Sequence, residues 1–269
     1  MSFNCAHISG YLYAAAAAAP DRLIFQCGDR KTSACEAAAC VANLSSGLIT
    51  RLKLEPGERV AIASLATDHS LQALLATVAA GGVATPLNWR WQIDEAAYAV
   101  DLVGASIMIA DAACLILALQ LAGRCGSLRA VVLLGQQQEY AGAQADAAFE
   151  RFSLTAAGAG EALPVLVYAG SLMADLPNEA HQPAADSSSS DSSSSRSGGS
   201  TGPVQLLAPT NGAALIVFTS GSTGQPKGVV LSHSALHSQC MAKLLLVSLG
   251  GKLAGWDSSC VCPSASSVA

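Results

Sequence analysis

The ten residues Thr219-Ser220-Gly221-Ser222-Thr223-Gly224-Gln225-Pro226-Lys227-Gly228 gather four hydroxyl side chains, three glycines and one lysine into one short segment. Hydroxyls donate hydrogen bonds, and a lysine ammonium offsets oxyanion charge as a compact point charge. Gly221, Gly224 and Gly228 permit tight turns and close approach of backbone amides, so the segment reads as a cradle for a nucleotide's phosphates. Its spacing departs from GxxxxGK[ST], because Gly228 follows Lys227, and from the dinucleotide pattern GxGxxG. The common ATPase and dehydrogenase readings are weakened accordingly. His233 and His237 follow the loop without a sequence-near carboxylate, so neither suggests a triad or a zinc site.

A loop of this kind must be presented by a framework. The apolar run Ala214 to Phe218 reads as a buried strand leading directly into it, and Ser232 or Ser234 as the cap of a helix carrying Leu236, Cys240, Leu244 and Val247. Upstream, Ala37, Val41, Leu44 and Leu48 recur at helical spacing. A turn at Leu54 to Arg59 then precedes a strand at Val60 to Leu65 and a helix whose Leu71, Leu74, Leu75 and Val78 share a face. Strands at Val83 to Leu87, Ser106 to Ala110 and Ala130 to Leu134 alternate with helices at Asp94 to Leu102 and Ala112 to Ala122. This alternation predicts an α/β fold: a parallel sheet flanked by helices on both faces.

Composition narrows the function classes. Of 269 residues, 51% are hydrophobic and 12% charged, which excludes a fibrous or wholly disordered chain. With 14 Lys and Arg against 19 Asp and Glu, the formal charge is −5, and no nucleic-acid partner is expected. Apolar runs are broken by His69, Gln72, Gly81, Gly82 and Pro86, so buried helices are expected instead of transmembrane segments. The N-terminus lacks the basic start of a targeting segment, which makes a cytoplasmic location the default. Nine cysteines without a CxxC pair argue against a disulfide framework, and the spacing of Cys260 and Cys262 specifies no metal site. Asp186 to Gly202, inside an insertion of about 178–210, is serine-rich with almost no apolar surface and reads as an exposed loop outside the fold.

The segment Thr219 to Gly228 resembles the phosphate-binding signature of the adenylate-forming superfamily, which includes acyl-CoA synthetases, peptide-synthetase adenylation domains and luciferases. The likeness extends to Gly28-Asp29-Arg30-Lys31, Leu54 to Val60 and Gly81 to Trp91, and covers about residues 7–135 and 211–249. Pro86-Leu87-Asn88-Trp89-Arg90-Trp91 followed by Asp94-Glu95-Ala96 is similar to the plant-type 2-succinylbenzoate CoA ligases of quinone synthesis, for which a chloroplast or peroxisome would be the location. The resemblance implies a fold that is the N-terminal part of the family's large domain. It also implies a two-step reaction, in which a small-molecule carboxylate attacks Mg-ATP to give an acyl adenylate and CoA then displaces AMP. Thr219, Ser220, Ser222, Thr223 and Lys227 would hold the β- and γ-phosphates, with Gly221, Gly224 and Gly228 shaping the loop. Asn88 and Arg90 would serve as scaffold away from that loop.

Forty-two residues follow Lys227, so the family's adenine, magnesium and ribose motifs, its hinge and its small C-terminal domain are not expected in this chain. Residues 1–249 are expected to form a partial AMP-binding large domain and 250–269 a tail outside the family pattern. The chain is expected to be inactive alone. The alternatives are a non-catalytic nucleotide-binding or interaction protein, and a fragment of a fatty-acyl, aromatic-acyl or amino-acid adenylating enzyme.

Overall fold

The computed structural model describes residues 7–135, 137–140, 165–173, 212–219 and 225–254. The serine-rich tract lies outside them. Helix α1 (Gly10–Ala18) precedes a small antiparallel hairpin, β1 (Leu23–Cys27) with β2 (Arg30–Ser33). The main sheet has seven strands, and the first part of the chain builds β3 (Arg59–Ala63), β4 (Val83–Pro86), β5 (Ile107–Ala110) and β6 (Ala130–Leu133). Strands β7 (Val165–Tyr168), β8 (Ala213–Thr219) and β9 (Lys227–Ser232) complete it, in the spatial order β7-β6-β5-β3-β4-β8-β9. Pairing is parallel from β7 to β8, and β9 returns antiparallel on β8.

Alternation along the central strands sorts side chains to two faces. Val60, Ile62, Ile107, Ile109 and Val132 pack in one core with α2 (Ala34–Thr50) and α3 (Asp68–Ala79). Ala61, Ala63, Met108, Ala110, Val131 and Leu133 face the other core, filled by α4 (Ile93–Val103) and α5 (Leu115–Ala122). The short helix α6 (Ala169–Met173) lies on the α2 side, and the long α7 (His233–Ala254) follows β9. Both faces of the parallel strands are covered, as the alternating pattern predicts. Among the described residues no helix is long and apolar enough to cross a membrane.

Start signals are local. Ser33 Oγ accepts from Glu36 N at 3.3 Å while Glu36 returns to Ser33 N at 2.8 Å, opening α2; Thr67 and Ser70 do the same for α3. Gly104 ends α4 at φ +59°, and Arg59 from β3 donates to the carbonyls of Val103 and Gly104 at 2.6 and 3.1 Å.

Ala37, Val41, Leu44 and Leu48 all lie buried in α2, as their spacing predicts. Helix α3 differs: its buried face is Gln72, Ala73, Ala76, Thr77, Val78 and Ala79, while Leu71 is exposed and Leu74 and Leu75 are half-buried. Small side chains let this helix approach the sheet closely, and the larger leucines flank the contact. The predicted helix at Ala112 to Ala122 is a 3-10 turn, Ala112–Cys114, followed by α5, and Asp111 caps the turn by accepting from Cys114 N. Strand β7 and the β1–β2 hairpin were not anticipated. Cys240 of α7 is exposed, whereas Leu236 packs against the first core.

The hairpin is tied to the domain by a forked ion pair, Arg30 Nε to Asp68 Oδ2 at 2.8 Å and Arg30 Nη2 to Asp68 Oδ1 at 2.7 Å. The Asp68 side chain is 2% exposed. Burial pushes its carboxyl up, but the hydrogen bond from Arg30, the charges of His69 and Arg30 and a backbone bond from His69 together outweigh this and hold it below the usual range. Arg30→Ala would leave that carboxylate buried without its partner, and a loss of about 2 kcal/mol in urea unfolding is expected. A loss under about 0.5 kcal/mol would show the pair to be incidental.

Candidate functional site

Parallel strands point their carboxyl ends at one edge of the sheet, and the candidate site residues collect there. Strand β8 runs beside β4, with Ala84 opposite Leu215, and delivers Thr219 to that edge. Strand β9 departs from it antiparallel, so Thr219 and Lys227 are cross-strand partners and Phe218 lies opposite Gly228. Thr219 Oγ1 lies 3.5 Å from the Lys227 carbonyl oxygen. Both side chains are exposed and share one side of the ribbon. Pro226 is buried beside them. Ser220, Gly221, Ser222, Thr223 and Gly224 lie outside the described residues.

Gly228 has a visible steric reason. A Cβ there would meet Ile216 Cγ2 at 3.1 Å and Phe218 Cε1 at 3.5 Å. The lack of a side chain lets the two arms of the ribbon close while the Phe218 ring lies over the Gly228 backbone.

The turn after β4 stands next to this ribbon. Arg90 N donates to Asn88 Oδ1 at 3.1 Å, and the Arg90 guanidinium sits over the Trp89 ring at 4.3 Å. Trp91 packs edge-on against Phe218 with ring centroids 5.5 Å apart. The motif's Trp91 thus reaches the strand that leads into the loop. The positions are distant in sequence, but β4 and β8 are neighbours in the sheet.

A second concavity of about 160 Å³ opens at the ends of β3, β5 and β6, lined by Arg30, Thr67, His69, Asp111, Gly135 and Glu139. Strand β3 leads to α3 on one face, while β5 leads to α5 on the other, so the hollow lies at a topological switch point. Asp111 bridges the strand ends, accepting from Ser64 Oγ and Leu65 N, both at 2.7 Å. No group of three or more His, Cys, Asp or Glu placed to hold a metal is found among the described residues.

His233 is fully buried, the first residue of α7 after Ser232, whose Oγ caps the helix by accepting from Ala235 N at 3.2 Å. Its ring stacks on buried His7, centroids 3.9 Å apart. His7 bonds to Ser9 Oγ at 2.7 Å, and His237 stacks on Tyr11 and bonds to its hydroxyl. The histidines therefore clasp the N-terminal segment to the helix that follows the loop. Sequence gave no sign of this pairing between positions more than two hundred residues apart.

The AMP-binding enzyme family pattern matches residues 12–264. A 2-succinylbenzoate–CoA ligase, chloroplastic/peroxisomal, from Arabidopsis thaliana is 30% identical over 83% of this chain, and the chain spans 33% of that relative's length. The adenylation domain of a carboxylate reductase from Mycobacterium chelonae superposes with a TM-score of 0.63 at 16% identity, over 86% of this chain and 35% of that one. An anthranilate CoA ligase in complex with anthranoyl-AMP gives 0.62 at 17% identity, over 90% of this chain and 37% of that one.

The clasp makes stability depend on pH. Burial, then the neighbouring His233, lowers His7 from 6.5 to about 4, and burial also lowers His233. The unfolded chain takes up these protons first, so stability is level above about pH 6.5 and falls as pH drops toward 4. The His7 contribution reaches at most about 3 kcal/mol. His7→Phe is expected to flatten the dependence of the urea midpoint between pH 6.5 and 4; an unchanged slope would remove the clasp as its source.

Proposed function

This chain belongs to the AMP-binding enzyme family, and from that premise we propose that the Thr219–Gly228 loop holds the β- and γ-phosphates of ATP while a carboxylic acid is activated. The observation that carries this reading is the delivery of Thr219 and Lys227, side by side and exposed, to the carboxyl edge of the sheet by the β8–β9 ribbon.

In the proposed reaction a carboxylate oxygen attacks the α-phosphorus, the bond from that phosphorus to the bridging oxygen breaks, and pyrophosphate leaves. Negative charge grows on the β-phosphate as the bond breaks. A fixed ammonium at Lys227 and hydroxyl donors at Thr219, Ser220, Ser222 and Thr223 favour that charge more than the ground state's. Magnesium accompanies ATP as part of the substrate. In the second step CoA thiolate attacks the acyl carbon and AMP departs. The substrate proposed is 2-succinylbenzoate, supported by the plant ligase that is 30% identical over most of this chain.

Calorimetric titration of the chain with Mg-ATP tests the loop. Lys227→Gln is expected to weaken binding by about tenfold or more, the loss of one charge-assisted contact. Equal affinity for parent and variant would sink the assignment. ATP–pyrophosphate exchange by a protein that carries this segment together with the family's remaining domains, with 2-succinylbenzoate, a fatty acid and an amino acid offered in turn, tests the acid. Dependence on 2-succinylbenzoate supports the assignment, and dependence on another acid overturns it.

A further inference from the structure

The phosphate ribbon is held on one flank by packing. The ladder between β4 and β8 pairs Ala84 with Leu215, three residues before Phe218. Strand β4 ends at Pro86, and the chain turns away through Asn88, with Trp91 N donating to the Asn88 carbonyl at 3.0 Å. In that register Pro86 stands level with Val217, so Phe218 lies just past the end of β4. The Trp91 ring meets β8 there, edge to face with Phe218 at an interplanar angle of 70°. Phe218 in turn lies alongside Gly228, its partner across the ribbon. Trp91, Phe218 and Gly228 thus form three tiers, and the flanking residues of the lower two are Thr219 and Lys227.

We propose that Trp91 is a positioning residue for Thr219 and Lys227, the paired residues that flank the loop. By bracing Phe218 on one face of the ribbon, it holds the backbone that presents the Thr219 hydroxyl and the Lys227 side chain from the other face before nucleotide arrives. The inference rests on the reading of that loop as the ATP phosphate site. Preorganisation of this kind lowers the ordering cost of binding. An edge-to-face contact is directional, whereas an aliphatic side chain of similar bulk fills the space without imposing the angle.

Trp91→Leu and Trp91→Phe separate positioning from simple burial, because both retain an apolar side chain at the half-buried site. Trp91→Leu is expected to weaken Mg-ATP binding about tenfold, while Trp91→Phe, which keeps an aromatic edge, stays within about twofold of the parent. Thermal midpoints report whether each variant remains folded. A second readout needs no nucleotide: the rate of tryptic cleavage after Lys227 in the native chain, followed by mass spectrometry. Loosening the ribbon with Trp91→Leu is expected to raise that rate several-fold, and Trp91→Phe to restore it.

If the parent binds Mg-ATP through Lys227 and Trp91→Leu changes neither affinity nor cleavage, the positioning role falls while the loop assignment stands. If Trp91→Leu accelerates cleavage but the parent binds no nucleotide, the packing brace exists and the phosphate reading fails, taking the positioning of phosphate contacts with it. A Trp91→Leu chain that is unfolded is replaced by Trp91→Ile, which also lacks an aromatic edge. About a tenfold loss of affinity with faster cleavage in Trp91→Ile, and neither in Trp91→Phe, supports the role, and an unchanged Trp91→Ile overturns it.

Discussion

Parallel pairing of β8 with β4 is the contact on which the site depends. It inserts a strand from late in the chain beside one formed near residue 84, and so brings the 219–228 segment to the turn at 88–91. Every strand from β7 to β8 runs the same way, which gathers their carboxyl ends along one edge. The β8–β9 ribbon at that edge is held from two sides. One arm continues as β9 into α7, anchored by the His7–His233 stack, and the other rests on Trp91 through Phe218.

The two helical layers serve this arrangement by keeping the central strands dry. Val60, Ile62, Ile107 and Ile109 leave the sheet on one side, and Ala61, Ala63, Met108 and Ala110 on the other. Small residues are prominent on the buried faces of α3 and α4, Ala73, Ala76 and Ala79 on one and Ala96, Ala97 and Ala99 on the other, while the central strands contribute Val, Ile, Met and Leu. The glycine at 228 extends the same economy of volume into the ribbon, where a Cβ would sit tightly at 3.1 Å from Ile216 Cγ2.

Polar groups at the strand ends are used with similar restraint. Asp68 is buried against Arg30, and Asp111 is spent on Ser64, Leu65 and the turn at Cys114. Both carboxylates join segments distant in sequence, and both stand near the hollow at the β3–β5 switch point. Near the β8–β9 ribbon, by contrast, Thr219 and Lys227 remain exposed. Groups that fasten the framework are buried and paired, while those assigned to nucleotide are open to solvent.

Local chemistry was legible in the sequence. The strand at Ala214 to Phe218 and the α2 face of Ala37, Val41, Leu44 and Leu48 depend on neighbours within a few positions, and local pattern suffices to read them. The parallel α/β class followed from alternation, and the family from the motif. Sequence failed where choice depended on distant partners. Leu71, Leu74 and Leu75 match a helical face as well as Ala73 and Ala76 do, and only the closeness of the sheet decides that the alanines turn inward. Trp91 carried no sign of its contact with Phe218, because Phe218 reaches it only through strand order. His7 and His233 were two isolated histidines until the fold excluded water and stacked them. A one-dimensional pattern specifies which elements form; which of them become neighbours is decided by burial and strand pairing across the whole domain, and the site exists only once those neighbours are chosen.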